Sequence, residues 1–260
     1  MTSTGSFLNY YEEYDEDTRL VKDQAHRVEF GTTTHFLDRL IRPGSKILDI
    51  GAGTGRYTFH YATLGHAVTA VEVVPRHVEV MRSRVRELPQ EHDIRIMQGD
   101  ATKLEVKSED YDVVLLLGPL YHLREDRDKR KCLGEALRAL KKGGIMAVAY
   151  ISPFAAFLHQ ATKYPDQLSR RYIDRIVVQK VHREGTFCYM SPGEMEALME
   201  EMGITKLHHL GTSGMSLLLR DTVNSLDDEG FQAWLDYHLM TCEEPSILGY
   251  SMHGLYIGKK

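Results

Sequence analysis

The sequence predicts a doubly wound α/β fold built on a seven-stranded, mostly parallel sheet, and three observations carry that expectation. Short apolar runs alternate with amphipathic helical periods from Lys46 onward, the signature of parallel strands covered by helices on both faces. The first run opens directly into a glycine-rich turn, ILDIGAGTGRYT, from Ile47 to Thr58. With 260 residues and 42% hydrophobic content, the chain is long enough to bury one elaborated core.

The strands read in order as KILDIG, AVTAVEV, IRIMQGD, YDVVLLLG and GIMAVAYIS. Between the second and third, RHVEVMRSRVREL sets Val78, Met81, Val85 and Leu88 on one helical face. Leu133, Ala136, Leu137 and Leu140 do the same between the fourth and fifth, with Gly143 as the expected stop. Residues 152–190 carry aromatic and basic residues in short helical pieces broken by Pro153 and Pro165, which suggests a cap inserted over the sheet edge. A helix resumes at SPGEMEALMEEMG: Ser191 suits the N-cap, Pro192 the first helical position, and Glu194 closes a capping box. Met195, Leu198, Met199 and Met202 then face the core. ITKLHHLG reads as a sixth strand and HGLYIGKK as a seventh. Between them a second helical insertion near 212–252 places Phe231, Trp234, Leu235 and His238 at helical spacing, and CEEPSILGYSM reads as loop. The expected organisation is a lid at 1–44, a ligand-binding core at 45–151, the cap at 152–190 and a C-terminal part at 191–260.

In such a sheet a ligand sits beyond the carboxyl ends of the strands, where their order reverses. The glycines Gly51, Gly53 and Gly55 stand at alternate positions with Arg56 next, a register that does not match the G-x-G-x-x-G turn for a pyrophosphate. The second strand ends at Glu72, placed to accept from both hydroxyls of a ribose. The third ends at Gly99, Asp100 and Ala101, which suits the amino group of adenine, and the fourth at Leu117, Gly118 and Pro119. The pattern asks for an adenosine without phosphates and leaves Asp49 near a cationic group.

Taken together, DIGAGTG, the VEV at Val71 to Val73, GDAT at Gly99 to Thr102, DVVLLLG at Asp112 to Gly118 and LRALKKGG at Leu137 to Gly144 resemble the ordered motifs of class I S-adenosylmethionine-dependent methyltransferases, a Rossmann-like family. The resemblance spans roughly Lys46 to Ile151, and weakly the last two strands. It implies S-adenosyl-L-methionine as cofactor, with S-adenosyl-L-homocysteine as product. It also implies that Gly51, Gly53 and Gly55 line the methionyl part, Asp49 orders the loop, Glu72 holds the ribose, Val73 packs on adenine, and Asp100 with Ala101 meets its N6, with Ala52 and Leu117 also among the cofactor-binding residues. The segment LGPLYHL resembles a variant found in bacterial methyltransferases of small molecules and departs from the [DN]-P-P-[FY] motif that accepts flipped bases or amide nitrogens.

Methyl transfer from a sulfonium asks mainly for in-line alignment and exclusion of water, with a proton acceptor where the nucleophile needs one. His122, at the end of the fourth strand, is the candidate base, and Tyr121 is its neighbour. Within YYEEYDEDTRLVKDQAHRVEF the lid candidates are Tyr11, Tyr14, Arg19 and His26, aromatic rings over the cofactor and basic groups toward its carboxylate. Phe154, Phe157, Tyr172, Tyr189 and Trp234 are candidates for an apolar acceptor pocket, if both insertions complete the roof. His208 and His209 adjoin on one strand and point to opposite faces, so they are not expected to ligate together. No H-E-x-x-H spacing or carboxylate cluster asks for a metal.

The expected activity is methylation of an O, N or S atom of a small-molecule acceptor. Two other readings are an RNA or protein methyltransferase, with RKCLGEALRALKK and QLSRRYIDR as docking faces, and a non-catalytic cofactor sensor. The net charge of -5 argues against nucleic acid. No apolar run approaches the ~20 residues of a membrane span, and the acidic start lacks a leader's apolar stretch, so a cytoplasmic protein is expected. Cys132, Cys188 and Cys242 are odd in number and widely spaced, which predicts reduced thiols.

Overall fold

The computed structural model describes Tyr10, Tyr11, Tyr14 and residues 16–182 and 186–260; parts of the lid sequence, 1–9, 12, 13 and 15, lie outside it, as do 183–185 of the cap. A helix α1 (Gln24–Leu40) precedes the sheet, capped by Asp23, whose carboxylate accepts from the His26 N–H. There follow β1 (Lys46–Ile50), α2 (Arg56–Thr63), β2 (Ala67–Glu72), α3 (Pro75–Glu87), β3 (Ile94–Gln98), β4 (Tyr111–Leu116), α4 (Asp126–Ala139) and β5 (Leu140–Ile151). The cap comprises α5 (Pro153–Lys163), α6 (Arg170–Ile173) and a short hairpin of β6 (Val181–His182) with β7 (Phe187–Cys188). The chain continues through α7 (Pro192–Glu201), β8 (Thr205–Gly211), α8 (Arg220–Asn224), α9 (Asp228–Thr241), α10 (Pro245–Leu248) and β9 (His253–Lys259).

The seven-stranded sheet runs β3-β2-β1-β4-β5-β9-β8, parallel from β3 to β5, with β9 antiparallel to both its neighbours. Because side chains alternate along a strand, β4 sends Val114 and Leu116 into one core and Val113 and Leu115 into the other. The first core closes with Leu133 and Ala136 of α4 and Met195 and Met199 of α7, the second with Leu37 of α1 and Tyr61 of α2. Each fully buried leucine contributes roughly 1.5 to 3 kcal/mol by leaving water.

Three boundaries differ from the sequence reading. Helix α4 stops at Ala139, not near Gly143, since Leu140 already pairs with Tyr111 and the carbonyls of Arg138 and Ala139 accept from Glu109 and Asp110. Pro153 starts α5 where it was expected to break a helix, because the first helical position needs no N–H. The stretch read as loop before β9 contains α10, which Glu244 caps through Ser246 N–H. The capping box of Ser191 and Glu194 is present as expected. The three cysteines are free and buried. Among the described residues no helix is long and apolar enough to cross a membrane.

His208 and His209 do part to opposite faces: His208 Nδ1 meets Glu243 at 2.9 Å, and buried His209 accepts the Tyr150 hydroxyl at 2.9 Å and meets Glu196 at 3.0 Å. Tyr150 lies opposite Gly254 in the β5–β9 ladder, and a Cβ at Gly254 would land on its ring. Gly254→Ala should therefore cost ~1 to 3 kcal/mol of overpacking, read as a lower urea midpoint at unchanged slope; an unaltered midpoint would refute this account of the β5–β9 contact.

Candidate active site

A cavity of about 270 Å3 opens beyond the carboxyl ends of β1 to β4, where the sheet order reverses between β1 and β4. Asp49, Gly51, Ala52, Gly53, Glu72, Val73, Asp100, Ala101, Leu117, Tyr121 and His122 all line it, so the structure brings together nearly all the residues selected from strand ends. Gly55 is the exception. It caps α2 at φ 89°, and a Cβ there would lie 2.7 Å from Phe59 and 3.0 Å from Met81, so its role is to let α2 pack.

The loop after β1 is fixed by its backbone. Gly51 and Ala52 N–H groups donate to the Val71 carbonyl at 2.8 and 3.2 Å, and Gly51 and Gly53 take φ values of 71° and 57°. At Gly51 a Cβ would stand 2.6 Å from the Pro119 ring, so the loop and the end of β4 approach as only glycine permits. Asp49, buried beneath, accepts the Thr58 hydroxyl at 2.7 Å, and burial pushes its carboxyl up to about 6.

Glu72 is buried, and its two oxygens accept from Gly53 N–H and Val74 N–H, each at 2.8 Å. Burial drives its carboxyl up to about 7 against those bonds. Asp100 accepts from the backbone and hydroxyl of Thr102 at 2.7 and 2.8 Å, which holds its carboxylate at the rim. His77, passed over in the sequence, shares this wall; the signal available was its place just past Pro75 at the start of a helix.

The roof comes from the N-terminal segment, as the resemblance implies, but through different groups. Tyr11, Glu16, Arg19 and Leu20 line the cavity. Arg19 does not present a free cation: its guanidinium bonds Glu16 at 2.9 Å and Glu29 at 3.1 and 3.0 Å. Burial would lower its pKa, and Glu29 and Glu16 outweigh that and raise it. Outside, Arg84 meets Asp17 at 2.6 Å and Arg56 donates to the Asp17 carbonyl at 3.1 Å. Tyr14 stacks on Tyr10 and does not line the cavity. Neither does His26, whose Nδ1 sits 2.7 Å from Asp23 at the α1 cap.

Next to the end of β4, His122 closes the short turn Pro119–His122. Its Nδ1 donates to the Thr186 carbonyl at 2.8 Å, which leaves Nε2 to accept the Tyr11 hydroxyl at 3.1 Å. Burial pulls its pKa down to about 4, so the ring is neutral at pH 7. Tyr121 spends its hydroxyl on the Leu117 carbonyl at 3.1 Å, and burial keeps it protonated, so it serves as wall. Phe187 completes an aromatic group with Tyr10, Tyr121 and His122.

The aromatics picked for an acceptor pocket go elsewhere. Phe157, Tyr172 and Tyr189 pack into the cap's own core with Ile176, while Phe154 is exposed. Trp234 donates to Ser216 beside a separate small pocket, because α8 and α9 dock against α1 and not over the cavity. Apolar spacing alone gave no sign of which surface each insertion covers.

Residues 47–144 match the family model of a methyltransferase domain. Among solved structures, the chain superposes on a SAM-dependent methyltransferase from Thermotoga maritima with TM-score 0.59 at 20% identity, covering 98% of this chain and 99% of that one. A SAM-dependent methyltransferase from Methanosarcina mazei gives 0.59 at 13% identity, over 86% and 96%. This is the class I methyltransferase fold. Among curated proteins, the demethylmenaquinone methyltransferase of Renibacterium salmoninarum is 33% identical over 47% of this chain and 48% of its own. A ubiquinone/menaquinone biosynthesis C-methyltransferase of Vibrio campbellii is 27% identical over 69% and 72%. The chain spans about half the length of the first of these relatives.

The neutral state of His122 has a consequence for stability. Its pKa is lower folded than unfolded, so its contribution is complete above about 6.5 and is lost as pH falls toward 4. Compared with His122→Asn, wild type should lose up to ~3 kcal/mol between pH 7 and pH 4. Urea unfolding at both values checks this; parallel pH profiles for the two proteins would contradict it.

Proposed function

We propose that the protein is an S-adenosylmethionine-dependent methyltransferase that transfers a methyl group to an O, N or S atom of a small-molecule acceptor. The observation that carries the reading is the cavity wall itself. Glu72 and Asp100 stand at adjacent strand ends beside the bare backbone of Gly51 and Gly53, an arrangement that accepts hydrogen bonds from an adenosine and repels phosphates. Glu16 and Asp49 supply carboxyl groups near the loop, in keeping with the cationic methionyl end of the cofactor. The absent side chain at Gly51, which could not coexist with Pro119, lets the loop close down on that end.

When bound, the cofactor supplies an electrophilic methyl on a sulfonium whose leaving group is a neutral thioether. The chain's residues then align and shield. Leu117 and Tyr121 form the floor beyond β4, and Tyr11, Glu16 and Leu20 exclude water from above. His122, neutral and held by Thr186, keeps its Nε2 lone pair on the cavity side, ready to take the acceptor's proton when Tyr11 yields that position. The rings of Tyr11 and Tyr121 on the cavity wall, with Phe187 packed behind Tyr121, suit a planar acceptor, in line with the relative named for demethylmenaquinone. Those names extend the set of acceptor atoms to carbon.

S-adenosylhomocysteine should raise the melting temperature and NAD should not. Preferential stabilisation by NAD would overturn the reading. Glu72→Ala removes the ribose acceptor and frees the Gly53 N–H, so cofactor affinity should drop at least about tenfold by calorimetry.

A metabolite library incubated with cofactor and read by mass spectrometry should yield a product heavier by one methyl group. With that acceptor, His122→Gln should lower turnover by about 10² to 10⁴ while cofactor affinity holds. Full activity of the glutamine variant would leave alignment as the only catalytic device.

A further inference from the structure

His77 is a buried imidazole with one ring nitrogen that the described residues leave unpaired. It is 4% exposed and lines the cavity, and its Nδ1 has no hydrogen-bond partner among the described residues. A buried polar atom left unpaired is costly, so a residue of this kind calls for a ligand. Its position says which part of the ligand. His77 lies in the first turn of α3, two residues past Pro75, where side chains lean back toward the helix start. That brings Nδ1 to 4.0 Å from Glu72 Oε1, too long for a direct bond. A hydroxyl admitted between the two by a small shift of the ring would accept from Nδ1–H and donate to the carboxylate. Tyr11 holds the ring from the side, edge to face at 5.5 Å.

We propose that His77 is a second reader of the cofactor's sugar, which together with Glu72 brackets a ribose hydroxyl so that the site selects ribose over deoxyribose. The proposal rests on the cofactor reading above. A neutral imidazole is the form it needs, and burial holds His77 down to about 4. Val74, which hands its N–H to Glu72 Oε1, fixes the carboxylate for the second half of the bracket.

The test is calorimetry of S-adenosylhomocysteine and of its 2′-deoxy and 3′-deoxy forms on the full chain. Wild type should prefer the ribose form over one deoxy form by about tenfold. His77→Met keeps bulk and removes the donor; it should bind S-adenosylhomocysteine about tenfold more weakly and show a smaller preference, the part that Glu72 alone supplies. His77→Asn, whose amide can stand in for Nδ1–H, should recover most of both. Wild-type affinity in folded His77→Met, or an undiminished ribose preference, would overturn the proposal. A measurement on wild type alone guards against misfolded variants: the His77 Nδ1 resonance in ¹⁵N-labelled protein should shift on adding S-adenosylhomocysteine, and an unmoved resonance in the bound protein would also overturn it. Wild type that binds no S-adenosylhomocysteine would remove the cofactor reading and this one with it, whereas binding with the same ribose preference in wild type and His77→Met removes this one alone.

Discussion

The site hangs on one buried carboxylate. Glu72 ties the loop after β1 to the end of β2 by accepting from Gly53 and from Val74, and with the bonds from Gly51 and Ala52 to the Val71 carbonyl it sets the distance between the two strand ends. Keeping that group out of water is expensive, as its raised pKa of about 7 records. The cost is tolerated because the same bonds hold Gly53 at a positive φ and keep its backbone facing the cavity. A ligand that accepts or donates there meets a preorganised surface and does not have to order it.

The second dependency runs through the roof. Arg19 would be an intolerable charge under the lid without Glu16 and Glu29, and Glu29 in turn lies 3.0 Å from His253 at the start of β9. Burial raises the Glu29 pKa, but Arg19 and His253 outweigh it and leave the carboxylate ionised well below its usual range. The lid is therefore joined to α1 and, across it, to β9, the antiparallel strand between β5 and the edge strand β8. Such an assembly fixes where Tyr11 stands, and Tyr11 touches both His77 and His122.

Most of the strand-end wall was legible in the sequence, because parallel strands flanked by crossover helices leave their carboxyl ends in one place and the alternating glycines mark the first turn. Glu72, Asp100 and His122 follow from that rule alone. The rest depends on contacts between segments far apart in the chain. Gly55 looked like its fellow glycines, but its neighbours Phe59 and Met81 are met only after α2 and α3 pack. Arg19 looked free until Glu29 came within 3.1 Å. Tyr14, His26 and Trp234 carried suitable chemistry, and tertiary docking turned each of them away. His77 shows the reverse case: a polar residue in a helical stretch reads as solvent-facing, and only the fold buries it.

Two ion pairs that fasten the lid differ in kind. Arg84 and Asp17 meet with side chains 32% and 41% exposed, whereas Arg19 and Glu29 are 18% and 12% exposed. Dissolved ions reach the first pair and weaken it, and they scarcely reach the second. Rising ionic strength thus slackens the outer clasp while the inner one stays shut, so the rim by α3 breathes before the ceiling over the β4 turn does.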